Sequence, residues 1–440
     1  MIEFVTIAIF ALSLLGCILL GIPVLAALVF GFFLFCGYGL YKGHSLAAVG
    51  RMALGGIKTV KSILFIFLLI GIITALWRSS GTIAYIVYHA TTVFSPSTML
   101  LSTFLLCSAL SVLTGTAFGT SATMGVICAT IARSMGIDPL LIGGAVLSGS
   151  YFGDRLSPMS TSALLVATIT DTDIFYNIKR MIPMSIVPTA LSCLIYFLLG
   201  QNAHSAGSTA EICTLFEENF TLNPWLLLPA IAIVVLSLCK IKVKITMLVS
   251  LLLAAILSLA VQDLSLIDLL RTALLGYTPA SQPLAKLMAG GGILSMVNVC
   301  CIVCLSSTYA GIFKGTGLMN NIKHHLTALS RKITPFGGTM VTAIITIMIG
   351  CNQTLAIMLT CELCDEMDID KETRAAYLEN TAVIMAPLIP WAIACAVPLG
   401  AVNAPTTSIV AACYLYLLPL WNYLMVLFSR KKHPATKYPL

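Results

Sequence analysis

The stretch of sequence that decides the fold covers residues 149–158 and reads Gly-Ser-Tyr-Phe-Gly-Asp-Arg-Leu-Ser-Pro. It interrupts an apolar run over 139–176 with glycine, proline, hydroxyl side chains and a carboxylate. A helix surrounded by lipid does not tolerate such an interruption, because the freed backbone groups find no hydrogen-bond partners there. The stretch therefore predicts a broken transmembrane helix whose break is enclosed by protein.

The composition of the whole chain places it in a membrane. Of 440 residues, 59% are hydrophobic and only 9% are charged, whereas about a quarter of the residues in a soluble domain are charged. This excludes a water-soluble enzyme, and we expect no enzymatic activity. At roughly 20 residues per crossing, the apolar runs predict an all-α, multi-pass membrane protein with about eleven crossings and two re-entrant hairpins.

The distribution of basic residues predicts the orientation in the bilayer. The segment 201–223 contains three glutamates and no Lys or Arg, whereas Lys179-Arg180 and the basic run 430–432 lie at the ends of apolar runs. The positive-inside rule then places 201–223 outside and both termini in the cytoplasm, in the cytoplasmic (inner) membrane. The net charge of +7 is explained in this way, so we expect no nucleic-acid partner.

An internal repeat relates the two halves of the chain. A shift of 236 residues places 77–81 on 313–317, and a shift of 232 places 135–138 on 367–370. The flanking charges of the two copies have opposite orientation, which predicts inverted-topology repeats, an architecture of secondary transporters.

Each repeat is predicted to hold one re-entrant hairpin and one broken helix. The hairpins are expected at 98–134 and 336–364, and the breaks at 149–158 and 386–390. The predicted organisation is N-terminal scaffold helices 1–50, transport repeat 1 at 51–200, an external loop and connecting scaffold helices at 201–285, transport repeat 2 (inverted) at 286–430, and a cytoplasmic tail at 431–440.

Two carboxylates at membrane depth are the candidate ion-coupling residues, namely Asp154 and Glu379. A carboxylate inside a bilayer costs on the order of 3 kcal/mol, so it needs a role. The alternatives are that Asp154 forms a neutralising pair with Arg155, and that Glu379 belongs to a solvated helix start.

Polar residues near the predicted tips and breaks complete the candidate sites. Gly119, Thr120 and Ser121 are predicted to contribute to ion coupling, and Asp154, Thr120 and Ser121 to bind Na⁺, because oxygen ligands suit hard cations. The predicted solute ligands are Asn352, Gln353, Thr354, Asn380, Thr381, Ser157 and Ser160.

Three stretches carry a resemblance to a known family. Residues 149–160, 115–121 and 378–391 resemble the NhaC-type Na⁺/H⁺ antiporter family. The resemblance covers about 50–428 and implies inverted repeats, each with a hairpin and a broken helix. It also implies an activity among those of the family, which include Na⁺/H⁺ exchange and ion-coupled malate–lactate exchange.

The chain departs from the family pattern at three places, two of which are carboxylates in the family. The usual Ser-Asp-Thr-Thr reads Ser-Thr-Ser-Ala at 160–163, the usual Glu-Asp pair reads Glu379-Asn380, and Ala392 replaces an asparagine. Fewer titrating carboxylates favour ion-coupled transport of a small organic solute, an amino acid or a carboxylate. Na⁺ or H⁺ is then the coupling ion, with no other cofactor. The alternatives are a plain Na⁺/H⁺ antiporter and, less favoured, a channel; a homodimer is left open.

Overall fold

The computed structural model describes residues 2–20, 22–93, 95–201, 209–239, 241, 243–318, 334–364, 367 and 369–432. Within these residues the regular elements are helices, and the only β pairing is an isolated bridge between Tyr277 and Gly290. The predicted tail from 433 onward and part of the predicted external loop, 202–208, lie outside the described residues.

The N-terminal part of the chain consists of α1 (Ile2–Leu19), α2 (Val24–Tyr41), α3 (Leu46–Ser79) and α4 (Thr82–Val93). The first repeat continues with α5 (Pro96–Thr114), α6 (Ala117–Thr120), a π-helical turn (Ser121–Gly125), α7 (Val126–Ser134), α8 (Pro139–Leu156), α9 (Thr161–Thr170) and α10 (Ile174–Gln201).

The connecting region contains α11 (Thr209–Asn219), a 3₁₀ turn (Pro224–Leu227), α12 (Leu228–Leu238), α13 (Val243–Ala260), α14 (Leu266–Leu275), α15 (Gln282–Met288) and α16 (Gly292–Ser295). The second repeat contains α17 (Val297–Thr316), α18 (Pro335–Gly350), α19 (Gln353–Leu363), α20 (Lys371–Leu378), a π-helical turn (Glu379–Val383), a 3₁₀ turn (Ala386–Leu388), α21 (Ile393–Ala401), a 3₁₀ turn (Thr406–Ala411) and α22 (Cys413–Lys432).

Both predicted hairpins are present, and their tips have the same backbone. Gly115 ends α5 in the left-handed region at φ 66°, and Cys351 ends α18 in the same region at φ 52°. The next residue caps the following helix in each case: Thr116 Oγ1 accepts from Gly119 N at 3.2 Å, and Asn352 Oδ1 accepts from Thr354 N at 2.9 Å. The two tips are related by the predicted shift of 236 residues.

The two broken helices also begin and break at corresponding positions of the two repeats. Asp138 caps α8 by accepting from Leu140 N at 2.9 Å, and Asp370 caps α20 by accepting from Thr373 N at 2.7 Å. The chain is non-helical at 157–160 in the first copy and at 389–392 in the second. These features follow the shift of 232 residues, so capping and breaking have the same spacing in both repeats.

The first break is shorter and later than the sequence predicted. We expected it at 149–158, but α8 remains helical through Leu156. A Cβ at Gly149 would lie 2.6 Å from the Phe104 carbonyl oxygen, and one at Gly153 would lie 2.2 Å from Val112 N. Glycines four residues apart therefore let α8 approach α5 closely rather than interrupting the helix. The second break, expected at 386–390, follows the 3₁₀ turn at Ala386–Leu388.

The apolar helices identify a multi-pass membrane protein. Among the described residues, three continuous stretches are long and apolar enough to cross a bilayer: Pro96–Thr114, Ile174–Gln201 and Ile293–Thr316. Two bent helix pairs pass the same test, with bends of 67° between α3 and α4 and 57° across the second break. The other apolar helices are 10–17 residues long; about eleven crossings remains a prediction.

Candidate functional site

Asp154 lies in the last turn of α8 and is buried, at 5% exposure. Ser160 Oγ donates to its Oδ1 at 3.0 Å, and Ser162 Oγ donates to its Oδ2 at 2.8 Å. Ser160 also caps α9 by accepting from the backbone N–H groups of Ser162 and Ala163. The chain therefore turns back at the break, and the start of α9 is held against the carboxylate at the end of α8.

Both hairpin tips also reach this carboxylate. The backbone N–H of Ala117, at the start of α6, and the side chain of Gln353, at the start of α19, lie close enough to Asp154 to interact with its carboxylate. Gln353 Nε2 additionally donates to the Val383 carbonyl oxygen at 3.0 Å, at the end of the π-helical turn of the second repeat. Asp154 is thus the point at which the first break meets both hairpins.

Arg155 is fully buried beside Asp154 but bonds to neutral groups from three other helical segments. Its Nε and Nη2 donate to Asn380 Oδ1 at 3.0 and 2.6 Å. Its Nη1 donates to Ser185 Oγ at 2.7 Å and to Tyr414 OH at 3.2 Å. Among the described residues no carboxylate lies within 4.0 Å of this guanidinium. A neutralising contact between Asp154 and Arg155 is therefore not what the structure contains.

Glu379 is the second buried carboxylate, at 1% exposure, and it opens the π-helical turn of the second repeat. Its Oε2 has no hydrogen-bond partner in the described part of the chain. The charged groups that act on it are Arg155 and Asp154. When both carboxylates are ionised, this cluster of two carboxylates and one guanidinium carries one net negative charge. A single monovalent cation or proton neutralises it, which lowers the cost of burying charge.

The predicted ion-coupling residues of the first hairpin bond to groups other than the Asp154 carboxylate. Ser121 Oγ donates to the Phe118 carbonyl oxygen at 3.0 Å, and Thr120 Oγ1 faces Thr114 Oγ1 at 3.4 Å. The Gly119 carbonyl oxygen accepts from Thr123 Oγ1 at 2.7 Å. Their contribution to ion coupling stays a prediction; the structure brings Ala117 of the same hairpin to the carboxylate instead.

Three predicted solute ligands stabilise the local backbone. Ser157 Oγ accepts from Met159 N at 3.2 Å within the first break. Thr381 Oγ1 donates to the Tyr377 carbonyl oxygen at 2.6 Å, one helical turn earlier. Asn352 caps α19. Asn380 is occupied by Arg155, and Ser160 by Asp154, so both belong to the ion cluster. Their roles as solute ligands are not tested by these contacts.

A cavity of about 560 Å³ lies next to the second hairpin. Helices α3 and α17 form one wall with small residues and Lys314, while Asn352 and Thr354 face it from the start of α19. Gln353, between these two residues, does not line the cavity and turns toward Asp154. The tip of this hairpin therefore has the cavity on one side and the buried carboxylate on the other.

Several residues of the site were missed by sequence reasoning, above all Tyr151 and Ser162. Tyr151 OH donates to the Ala394 carbonyl oxygen at 2.7 Å. Pro398 has no N–H to give to the carbonyl four residues before it, so the tyrosine satisfies a group that α21 leaves unpaired. The proline was a visible signal, but Tyr151, which lies 243 residues before Ala394 in sequence, was not. Ser185 and Tyr414 were also missed, for the same reason.

Two hairpins and two broken helices around a buried carboxylate define a secondary active transporter. The sequence profile of the Na⁺/H⁺ antiporter family matches residues 1–170 and 149–429. The chain belongs to the Na⁺/H⁺ antiporter family. The resemblance seen in its motifs is thereby confirmed, and the protein is an ion-coupled secondary transporter of the membrane.

Relatives with assigned activities are similar over most of their length. A malate-2H⁺/Na⁺-lactate antiporter of Bacillus subtilis is 25% identical over 395 residues, 87% of this chain and 84% of the relative. The Na⁺/H⁺ antiporter NhaC of Alkalihalophilus pseudofirmus is 27% identical over 394 residues, covering 85% and 83%. The arginine/ornithine antiporter ArcD of Halobacterium salinarum is 27% identical over 368 residues, covering 80% and 73%.

Proposed function

We propose that this protein uses a Na⁺ or H⁺ gradient to move a small organic solute, an amino acid or a carboxylate, by alternating access. It would act in the cytoplasmic membrane with both termini inside. The observation that carries the proposal is the convergence on Asp154 of its own break, the start of α9 and both hairpin tips. A cation arriving there changes the contacts of every element that a transport cycle has to move.

In this proposal the cation binds at Asp154. The hydroxyl groups of Ser160 and Ser162 already touch the carboxylate, and together they offer the oxygen ligands that a hard cation such as Na⁺ prefers. A proton would bind to the carboxylate itself. Either charge neutralises the cluster of Asp154, Arg155 and Glu379, and so favours the state in which the cluster is enclosed.

We infer one coupling cation per cycle, and the residue that supports this is Asn380. This residue gives Arg155 a neutral amide oxygen at 2.6 and 3.0 Å rather than a carboxylate. With both carboxylates ionised, the cluster then needs one positive charge for neutrality, not two. Thr161, the other position where the resemblance expects an aspartate, is exposed. Of these two differences from the family pattern, only the one at Asn380 therefore alters the charge inside the protein.

The solute would bind in the cavity beside the second hairpin. Its volume of about 560 Å³ lies in the range of about 300–1,000 Å³ that suits small molecules. Lys314 supplies a positive charge for a carboxylate group, and Asn352 and Thr354 supply an amide and a hydroxyl group. The malate, lactate, arginine and ornithine named for two relatives all carry a carboxylate.

Gln353 would couple the two sites, because it contacts Asp154 while its chain neighbours face the cavity. We assign the hairpins and broken helices to the moving unit, and residues 1–50 and 201–285 to the scaffold. The alternative is plain Na⁺/H⁺ exchange, favoured by the two buried carboxylates Asp154 and Glu379, which need no organic solute to bind a cation.

Proteoliposomes containing the full chain test the proposal. A Na⁺ or pH gradient is imposed, and uptake of labelled malate, lactate, arginine and ornithine is measured beside H⁺ flux from a pH-sensitive dye. Uptake that requires the gradient supports solute transport; Na⁺-driven H⁺ flux with no uptake of any solute supports the alternative. Lys314→Gln should raise the half-saturating concentration of a carboxylate, whereas Lys371→Gln, on an exposed side chain, should leave it unchanged.

A further inference from the structure

Away from Asp154, two arginines line one small pocket. Arg78 lies at the end of α3 and Arg133 in the last turn of α7. The pocket has a volume of about 30 Å³, and Arg78 is 9% exposed. The remaining polar lining comes from Thr74, Thr130, Ser295 and Asn403. No Asp or Glu is among the lining residues.

The charge of this pocket is not balanced by protein. In the described part of the chain, neither arginine forms an ion pair with a carboxylate. Two like charges repel each other strongly where water is scarce, because the effective dielectric constant is low. Removing one guanidinium from water is already unfavourable unless an opposite charge or hydrogen bonds compensate. Two in one pocket therefore call for an anion.

The hydrogen bonds of the pocket leave guanidinium N–H groups as its charged donors. Thr74, Thr130 and Ser295 each donate to a carbonyl oxygen three or four residues earlier in their own helix. Arg133 Nη2 donates to the carbonyl oxygens of Val402 and Asn403, which fixes its plane. Arg78 has no hydrogen bond to a protein acceptor among the described residues, so its donors are available to a ligand.

We propose that Arg78 and Arg133 form a binding site for a small monovalent anion, either chloride or the carboxylate group of a solute. About 10–15 Å³ suffices for a water molecule, so about 30 Å³ accepts chloride or a carboxylate and excludes bulky anions. The two guanidinium groups supply both the charge and the hydrogen-bond donors that such an anion needs.

Because of its position, an anion bound at this site would affect the conformation of the protein. Arg78, Thr74 and Ser295 come from α3 and α16, whereas Arg133 comes from the first hairpin and Asn403 follows α21 of the second broken helix. An anion held between them bridges the two sets of helices. It stabilises this arrangement relative to any in which the two arginines separate, since a ligand favours the state that binds it more tightly.

Thermal unfolding of the purified full chain tests the site without any transport assay. The unfolding midpoint is measured in the potassium salt of the sulfonate buffer MES, whose anion carries no carboxylate and has a larger head group, and with increasing chloride or acetate at constant ionic strength. We expect a saturable rise in the midpoint for the wild type. Arg78→Gln should abolish the rise while leaving the midpoint in the sulfonate salt no lower, because it removes an unbalanced charge.

Arg271→Gln, which removes an exposed arginine on α14, is the matched control and should keep the wild-type response. A response to chloride and acetate alike supports a general anion site, and a response to acetate alone supports a solute carboxylate as the natural ligand. An Arg78→Gln variant that responds like the wild type overturns the proposal. So does a wild type that responds to neither anion, or an equal loss of stability in the variant under every condition.

Discussion

The two helix breaks have the same backbone plan and different chemistry. At the shift of 232 residues, Asp154 corresponds to Ala386, Ser160 to Ala392, and Ser162 to Ala394. The first break holds a carboxylate with two hydroxyl donors. In the second break, backbone N–H and C=O groups take the place of these side chains.

The backbone groups of the second break are used by both repeats. The Ile393 N–H donates to the Cys351 carbonyl oxygen at the tip of the second hairpin, at 2.9 Å. The carbonyl oxygens of Ala394 and Val383 accept from Tyr151 and Gln353. A repeated backbone therefore does not require repeated charges. A second carboxylate at position 386 would add another charge at low dielectric, with the cost that this carries.

The largest effect is expected from removing the charge that distinguishes the first break. Asp154→Asn should reduce gradient-driven transport in proteoliposomes to the level of protein-free vesicles, because the neutral amide takes up no proton and gives Na⁺ no compensating negative charge. Asp171→Asn is the control, since that carboxylate is 96% exposed and its backbone φ of 53° suits asparagine. Full transport by Asp154→Asn would refute the assignment of the coupling site.

The next effect is expected from the hydroxyl groups of the first break. Ser162→Ala and Ser160→Ala each remove a hydroxyl oxygen that we propose as a Na⁺ ligand. The half-saturating Na⁺ concentration for transport should rise about tenfold for each change, which corresponds to a loss of about 1.4 kcal/mol of binding free energy. Ala392→Ser, the corresponding change in the second break, should leave it unchanged. Equal effects of the changes in the two breaks would contradict the proposal that only the first break binds the cation.

Asn380→Asp tests the charge balance between the breaks. The new carboxylate can keep the contacts that Arg155 makes with Asn380 Oδ1 while adding one negative charge. We expect a second cation to be required, seen as a rise in the Hill coefficient for Na⁺ from about one toward two. Asn177→Asp, on α10, adds a charge outside the cluster and serves as the comparison. An unchanged coefficient in Asn380→Asp would argue against one cation per cycle.

The smallest effect concerns the bond between the two broken helices. Tyr151→Phe leaves the Ala394 carbonyl oxygen without its donor, which should cost about 1–3 kcal/mol of stability. Pro398→Ala restores a backbone N–H four residues after Ala394, so the double variant should recover much of the loss. Unfolding midpoints of the single and double variants measure this. If the losses of stability from the two single changes added up in the double variant, Tyr151 would act through a different contact.

Much of the fold could be predicted from local signals in the sequence. Both hairpin tips occur in the predicted regions and both helix breaks overlap them, because glycine, proline and capping side chains act on neighbouring residues. The prediction placed the first break too early in the sequence, and the reason is related. Gly149 and Gly153 signal close backbone approach, and sequence alone did not distinguish a bend from tight packing against α5.

The sequence by itself determined that the chain lies in a membrane, that its halves repeat, and that Asp154 is buried at a break. Hydropathy, spacing and capping are short-range properties and can be read along the chain. Only the tertiary structure decided which groups meet: Gln353 with Asp154, Arg155 with Asn380 and Tyr414, and Arg78 with Arg133 in one pocket. These partners are far apart in sequence, and the packing of helices alone brings them within hydrogen-bonding or electrostatic range.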